Sequence, residues 1–169
     1  MINWLKNEAD KLREMIQGRR QLFAYLMFVG FICHGYMFLN KLPNFDDTVA
    51  LTSKGTTLAA GRWFLPFTTI ITNGISIPLF IGIFSITCII ISCFIVCDLL
   101  GITKGINIFA AGCLMICFPT ITGTFTFMYT TDSYMLGLLF AALAVWIVVK
   151  TEKFVPILGG GSSKFFISV

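Results

Sequence analysis

Apolar residues dominate this chain in four long runs that are separated by more polar segments. The runs cover about 21–39, 75–97, 106–125 and 133–149. Each has close to the ~20 residues that an α-helix needs to cross the hydrocarbon layer of a bilayer. Backbone N–H and C=O groups must be satisfied within such a segment, which favours helices. The pattern therefore predicts an all-α integral membrane protein with about four transmembrane helices.

The third run is interrupted by a proline. Pro119 comes 13 residues after Ile106, where the run begins. Proline lacks a backbone N–H and kinks or breaks a helix, and 13 residues are too few to cross a bilayer. We therefore expect this span to be kinked and to continue toward Phe125.

The first 20 residues differ from the runs that follow. Apolar residues recur there at helical spacing, with charged residues around the rest of the helix. The apolar positions are Leu5, Ala9, Leu12 and Ile16. This pattern predicts an amphipathic helix that lies on the membrane surface. At the other end, GGGSS at 159–163 is typical of flexible linkers, so 151–169 is expected to be a flexible tail.

Composition supports a membrane protein. The chain is 57% hydrophobic and 12% charged, with a mean hydropathy of +0.89, whereas about 25% of residues are charged in soluble domains. The net charge of +4 forms no basic stripe with interleaved aromatics, so we expect no nucleic-acid partner. All six Cys lie in apolar runs, where they are interpreted as packing residues.

The basic residues indicate the orientation of the predicted spans. Eight lie in the N-terminal segment, in the 98–105 turn and just past the fourth span at 150 and 153, whereas three lie in the 40–74 segment. Lys and Arg are enriched in cytoplasmic loops. Both termini are therefore predicted to be cytoplasmic, and 40–74 is predicted to be an outward loop that contains short helices.

The outward loop holds the most chemically informative residues. Asp46 and Asp47 are adjacent, and Lys54 and Arg62 follow in the same segment. Charges that persist near a bilayer often mark substrate or ion sites. A carboxylate here could be a general base or could hold a divalent cation beside a phosphate. The alternative is that one carboxylate caps a short surface helix.

Three further residues have two interpretations each. Arg62, in Gly61-Arg62-Trp63-Phe64, could grip a substrate phosphate or anchor the chain at the lipid headgroups. Asp132, where the fourth span begins, could line the same outward site or cap the helix. His34, near the outward end of the first span, is more often a satisfied polar group between helices than a catalytic one.

This arrangement resembles the GT-C superfamily of membrane glycosyltransferases. Within it, the chain is similar to the O-antigen-modifying, serotype-converting glucosyltransferases. The resemblance rests on FDDTVALTSKG at 45–55, GRWF at 61–64 and YTTDSYMLG at 129–137. It covers about residues 21–150, which would form the glycosyltransferase-like domain.

The resemblance implies inverting transfer of glucose from undecaprenyl-phosphate-glucose to lipopolysaccharide O-antigen. The protein would lie in the bacterial inner membrane, among its lipids, with the active loop in the periplasm. Asp46 or Asp47 would be the catalytic carboxylate, and either could hold Mg²⁺ or Mn²⁺ if a cation is used. Arg62 and Lys54 would contact the donor phosphate, and Asp132 would be the second-loop acidic residue.

The chain departs from this family in its length and number of spans. Members usually have more spans, so we expect this chain to be the N-terminal part of such an enzyme, truncated and ending in an aberrant tail. A different class fits the span count: a small four-span translocase or accessory protein for lipid-linked sugars, without catalytic activity.

Overall fold

The computed structural model describes residues 2–40 and 77–150, and every regular element in them is an α-helix. The all-α prediction is therefore confirmed. The helices are α1 (Ile2–Gly18), α2 (Arg20–Leu39), α3 (Pro78–Leu99), α4 (Gly105–Ile116), α5 (Pro119–Phe125) and α6 (Met128–Lys150). The predicted loop at 40–74 and tail at 151–169 lie outside the described residues, apart from Asn40.

The number of helices that could cross a membrane agrees with the prediction. Helices α2 and α3 and the part of α6 from Thr130 are long and apolar enough to do so. Helices α4 and α5 meet the same test as a pair that is bent by 49°. The described residues therefore contain three membrane-spanning helices, or four if the bent pair counts as one span.

Helix α3 is at the centre of the bundle and packs against α2, α4 and α6. It is apolar around its whole circumference, as expected of a buried helix. Its side chains with no exposed surface include Ile81, Ile86, Ile89, Ile90 and Phe94. Burial of an apolar side chain stabilises a fold by about 1.5–3 kcal/mol in water, but lipid is as apolar as the core, so packing and polar contacts decide helix association here.

The contacts along the helices give their relative directions. Gly30 of α2 faces Ile86 of α3, and Phe38 faces Gly82, so α2 and α3 are antiparallel. Leu26 of α2 faces Gly112 of α4, and His34 reaches Ile116, so these two helices are parallel. The three glycines let neighbouring helices approach closely, as small residues do in membrane bundles.

Polar contacts hold the end of the bundle that was predicted to be cytoplasmic. Arg19, between α1 and α2, donates to the carbonyl oxygen of Phe94 at 3.0 Å, and its guanidinium lies 5.5 Å from the centre of that ring. Asp98 accepts from Nε1 of Trp146 at 3.0 Å and pairs with Nζ of Lys150 at 3.3 Å. Because Lys150 is 43% exposed, that pair stabilises the fold by at most ~1 kcal/mol.

Helix α1 is amphipathic, as predicted. Its half-buried residues include Leu12 and Met15, which pack against a cluster of Ile95, Ala142 and Trp146. Lys6, Asp10 and Arg13 are exposed. The apolar stripe of α1 therefore rests on the ends of α3 and α6.

Candidate functional site

Only one of the predicted site residues lies within the described part of the chain. Asp46, Asp47, Lys54 and Arg62 are outside it, and Asp132 is inside it. The segment with the first four joins the end of α2 to the start of α3. We call the end of the bundle formed by the end of α2, the start of α3, α5 and the start of α6 the loop end.

Buried polar side chains are concentrated at the loop end. Seven polar or charged residues of the described part are buried, and six of them lie in the turns nearest this end. They are His34, Ser85, Thr130, Thr131, Asp132 and Ser133, each at most 5% exposed. Burying polar groups is costly unless they are hydrogen-bonded, so this concentration marks the loop end as the candidate site.

Asp132 is the only acidic side chain among these residues and is 3% exposed. It shares the buried stripe of α6 with Met128, Met135 and Trp146, at the spacing of one helix face. Its Oδ1 accepts from the backbone N–H of Ser133 at 2.8 Å and lies 3.4 Å from the hydroxyl of that residue. A carboxylate within a membrane bundle is costly and usually functional.

The helix-capping interpretation of Asp132 does not hold. Helix α6 begins at Met128, five residues before the predicted span, so Asp132 is in its second turn. A hydroxyl group supports this earlier start: the single hydrogen of Thr131 Oγ1 is shared between the carbonyl oxygens of Thr124 at 2.8 Å and Phe127 at 2.9 Å. The contact with Thr124 also joins α5 to α6.

The bend between α4 and α5 forms one wall of the loop end. Helix α4 ends at Ile116 and α5 begins at Pro119, with Phe118 in an extended conformation (φ −62°, ψ 132°). His34 Nε2 lies 2.9 Å from the carbonyl oxygen of Ile116. Proline at the first position of a new helix is expected, since its missing N–H would have no partner there.

Aromatic rings fill the space beside this hydrogen bond. The ring of Phe125 lies 4.8 Å from that of His34 and 5.1 Å from that of Phe38, measured between centroids. Phe31 contacts Phe38 edge to face at 5.7 Å. The rings hold the imidazole of His34 in an apolar enclosure.

Two buried polar atoms at the loop end have no hydrogen-bond partner among the described residues. They are Nδ1 of His34 and Oγ of Ser85. No pattern in the sequence pointed to Ser85. The sequence did single out His34, because it is the only His in the chain, but spacing alone could not show that it meets the broken end of α4.

An apolar groove lies deeper in the bundle than Asp132. It has a volume of about 370 Å³ and is lined by residues of α3, α4, α5 and α6 and the connection between α4 and α5. They are Ile89, Leu114, Met115, Phe118, Ile121 and Leu138. Leu138 follows Asp132 by six residues, which corresponds to ~9 Å along a helix. The groove can take an apolar chain and offers it no polar contact.

No cluster of three or more His, Cys, Asp or Glu that could hold a metal ion occurs within 2–40 and 77–150. The predicted cation ligands, Asp46 and Asp47, lie outside these ranges. What the described residues supply is a buried carboxylate, a buried imidazole and several hydroxyls at the end of an apolar bundle. Such groups can orient or deprotonate a hydroxyl-bearing substrate.

Comparison with known proteins identifies the family. Searches of curated proteins and of solved structures each gave no significant match. A family model described as "Glucosyl transferase GtrII" matches residues 35–168, which include four of the described helices, the whole outward segment and every predicted site residue. This match spans more than half of the chain, which therefore belongs to the GtrII family of glucosyl transferases, whose members act in O-antigen modification.

Proposed function

We propose that this protein transfers glucose from undecaprenyl-phosphate-glucose to lipopolysaccharide O-antigen at the periplasmic face of the bacterial inner membrane. The observation that carries the proposal is the burial of Asp132 among polar side chains at the loop end of a GtrII-family bundle. A glucosyl acceptor must lose a proton from its hydroxyl, and carboxylates can take it.

The donor of this proposal has two chemically different parts. Its phosphate would stay at headgroup depth, near the segment that contains Lys54 and Arg62, and Arg suits bidentate phosphate contacts. Its isoprenoid chain would need an apolar surface inside the membrane. The groove between Ile89 and Leu138 offers such a surface.

The carboxylates of the two loops would have different roles in the reaction. In the proposal, Asp46 or Asp47 is the catalytic base, and Asp132 is a second acidic group that orients the sugar. A cation such as Mg²⁺ or Mn²⁺ at Asp46 or Asp47 would neutralise the leaving phosphate. If a cation is required, EDTA will abolish transfer and added Mg²⁺ or Mn²⁺ will restore it.

The test is O-antigen glucosylation in cells that express the chain, measured by mass spectrometry of the released polysaccharide. Asp132→Asn and the Asn variants of Asp46 and Asp47 should each be compared with Asp10→Asn, because Asp10 is an exposed acidic residue of α1. We expect a loss of at least ~100-fold for the catalytic carboxylate, the lower range for removing general-base catalysis, and no loss for Asp10→Asn.

Two results would contradict the proposal. Unchanged glucosylation in all three Asn variants, at normal membrane levels, would remove the catalytic role of these carboxylates. Glucosylation that appears only when a separate transferase is supplied would instead favour a translocase.

A further inference from the structure

The carbonyl oxygen of Ile116 lacks the backbone hydrogen bond that a continuous helix would give it. In a continuous helix it would accept from the N–H of Thr120. Here α4 ends at Ile116 and a new helix begins at Pro119, so that intrahelical bond is not made. An unpaired carbonyl in the membrane interior is costly, and the partner must come from another helix.

His34 of α2 supplies that partner. Its Nε2 lies 2.9 Å from the Ile116 oxygen, and its side chain is 2% exposed. A carbonyl oxygen can only accept, so Nε2 carries the hydrogen. The imidazole therefore caps the carboxyl end of α4 from a neighbouring helix.

The same ring also contacts the other arm of the bend. Phe125, the last residue of α5, packs on it at 4.8 Å between ring centres. His34 thus contacts the end of α4 through a hydrogen bond and the end of α5 through a tilted ring–ring contact. One side chain fixes both arms of the bent pair.

The position of the bent pair sets the position of Asp132. Thr131 Oγ1 donates to the carbonyl oxygen of Thr124 in α5 at 2.8 Å, and Asp132 is the next residue of α6. Because this bond links the two helices, a movement of α5 would also displace Asp132. Displacement of a catalytic group by 1 Å can cost ~100-fold in rate.

We propose that His34 is a positioning residue, which holds the bend between α4 and α5 and thereby sets where Asp132 stands in the glucosyltransferase site. This inference rests on the proposed function for its catalytic consequence. Its structural part, that His34 holds the bend, does not depend on the reaction.

The first test replaces His34 in the full chain. Gln can place an N–H near the position of Nε2, whereas Asn is too short to do so and Leu has no donor. We expect His34→Leu and His34→Asn to lower kcat at least ~10-fold, with KM for the lipid-linked donor changed less than ~3-fold. His34→Gln should retain kcat within ~3-fold of the unmodified protein. Ile86→Val, which removes one methyl group from the buried contact of α3 with Gly30 of α2 and removes no donor, is the control for lost packing and should keep kcat.

Pro119→Ala provides a second test. Alanine restores an N–H and lets the helix run through the break, so that Thr120 can reach the Ile116 oxygen. In that background His34→Leu should cost much less than it does alone. An equal loss in both backgrounds would overturn the inference, as would a His34→Gln variant as impaired as His34→Leu.

A native pair of thiols reports on the bend without any reference to activity. Sγ of Cys33, next to His34, lies 3.3 Å from Sγ of Cys117, next to Ile116. Membranes treated with iodine, which takes up the two electrons as the thiols join, should form this disulfide, as mapped by peptide mass spectrometry. We expect the yield to fall at least ~3-fold in His34→Leu and to be kept in His34→Gln and Ile86→Val.

The two readouts separate the two ideas. If the unmodified protein transfers no glucose, the proposed function fails, and the disulfide yields alone decide whether His34 holds the bend. If transfer occurs and the yield in His34→Leu equals that of the unmodified protein, the role of His34 fails while the proposed function stands.

Discussion

Gly82 shows how a single residue can set the distance between two helices. A Cβ at this position would overlap the ring of Phe38. Phe38 is 2% exposed and packs against Phe31 and Phe125, so the ring has no free space to enter. The close contact of α2 and α3 therefore depends on the missing side chain.

We predict that Gly82→Ala lowers the free energy of unfolding by about 1–3 kcal/mol, the usual cost of overpacking. Gly137→Ala is the matched control, since nothing lies within 4 Å of a Cβ there. Alanine should be neutral or stabilising at that position by up to ~1 kcal/mol, through helix propensity. Thermal unfolding of the purified protein in detergent measures both, and a Gly82→Ala variant as stable as Gly137→Ala would contradict the close packing.

The sequence identified some of the site residues but not the contacts that they make. Asp132 was recognised because a carboxylate stands out beside an apolar run, although its place in the second turn of α6 was not foreseen. His34 was noticed, but its partner is a backbone carbonyl at a helix break 82 residues away, which no local pattern reveals. The proposed roles of Asp46, Asp47, Lys54 and Arg62 rest on the sequence and the family alone.

At the level of elements, the kink at Pro119 was predicted from the sequence and is present as a bend of 49° between α4 and α5. The start of α6 was placed five residues too late, because Thr130 and Thr131 look like loop residues. In the structure their hydroxyls bond to carbonyls of the preceding residues. Such bonds lower the cost of placing hydroxyls inside a membrane helix.

We predict that Thr131→Val reduces both stability and glucosylation. Thr131 has no exposed surface, and its hydroxyl hydrogen is shared between the carbonyl oxygens of Thr124 in α5 and Phe127 in the connection to α6. Its loss removes the side-chain hydrogen bond between α6 and α5, while both carbonyl oxygens keep a backbone N–H donor, so we expect a cost of about 0.5–1.5 kcal/mol. Thermal unfolding and O-antigen glucosylation are the measurements.

Thr87→Val is the control for this change. The hydroxyl of Thr87 donates at 2.8 Å to the carbonyl oxygen of Ile83, four residues earlier in the same helix, and lies 4.0 Å from the sulfur of Met27 in α2. A thioether sulfur is a weak acceptor, so this hydroxyl links two helices only weakly. The substitution should change stability by less than ~1 kcal/mol and leave glucosylation intact. Equal effects of the two substitutions on stability and glucosylation would show that the bond from Thr131 to α5 contributes to neither.

For the whole molecule, polarity is divided between the two ends of the bundle. One end has Arg19, Asp98 and Lys150 in contact with α3 and α6. The loop end has the buried hydroxyls, His34 and Asp132. The basic residues of the sequence predict which end faces the cytoplasm, since they favour the first of these two ends.

We predict that the two ends are labelled from opposite sides of the membrane. In a background with all six Cys replaced, Asp46→Cys should react with a membrane-impermeant maleimide added from the periplasmic side. Lys104→Cys, in the turn between α3 and α4, should react only after the inner membrane is opened. The reverse pattern would place the site in the cytoplasm and remove a periplasmic reaction.

The broken third span has a consequence for how the protein enters the membrane. Helices α2 and α3 satisfy their own backbone over a full bilayer crossing, so each can leave the translocon for lipid alone. The α4–α5 pair cannot, because the Ile116 carbonyl finds its donor on α2. During insertion, α2 must therefore stay beside the translocon until the α4–α5 pair arrives. A change that lets α2 diffuse into the lipid earlier would leave the Ile116 carbonyl without its donor.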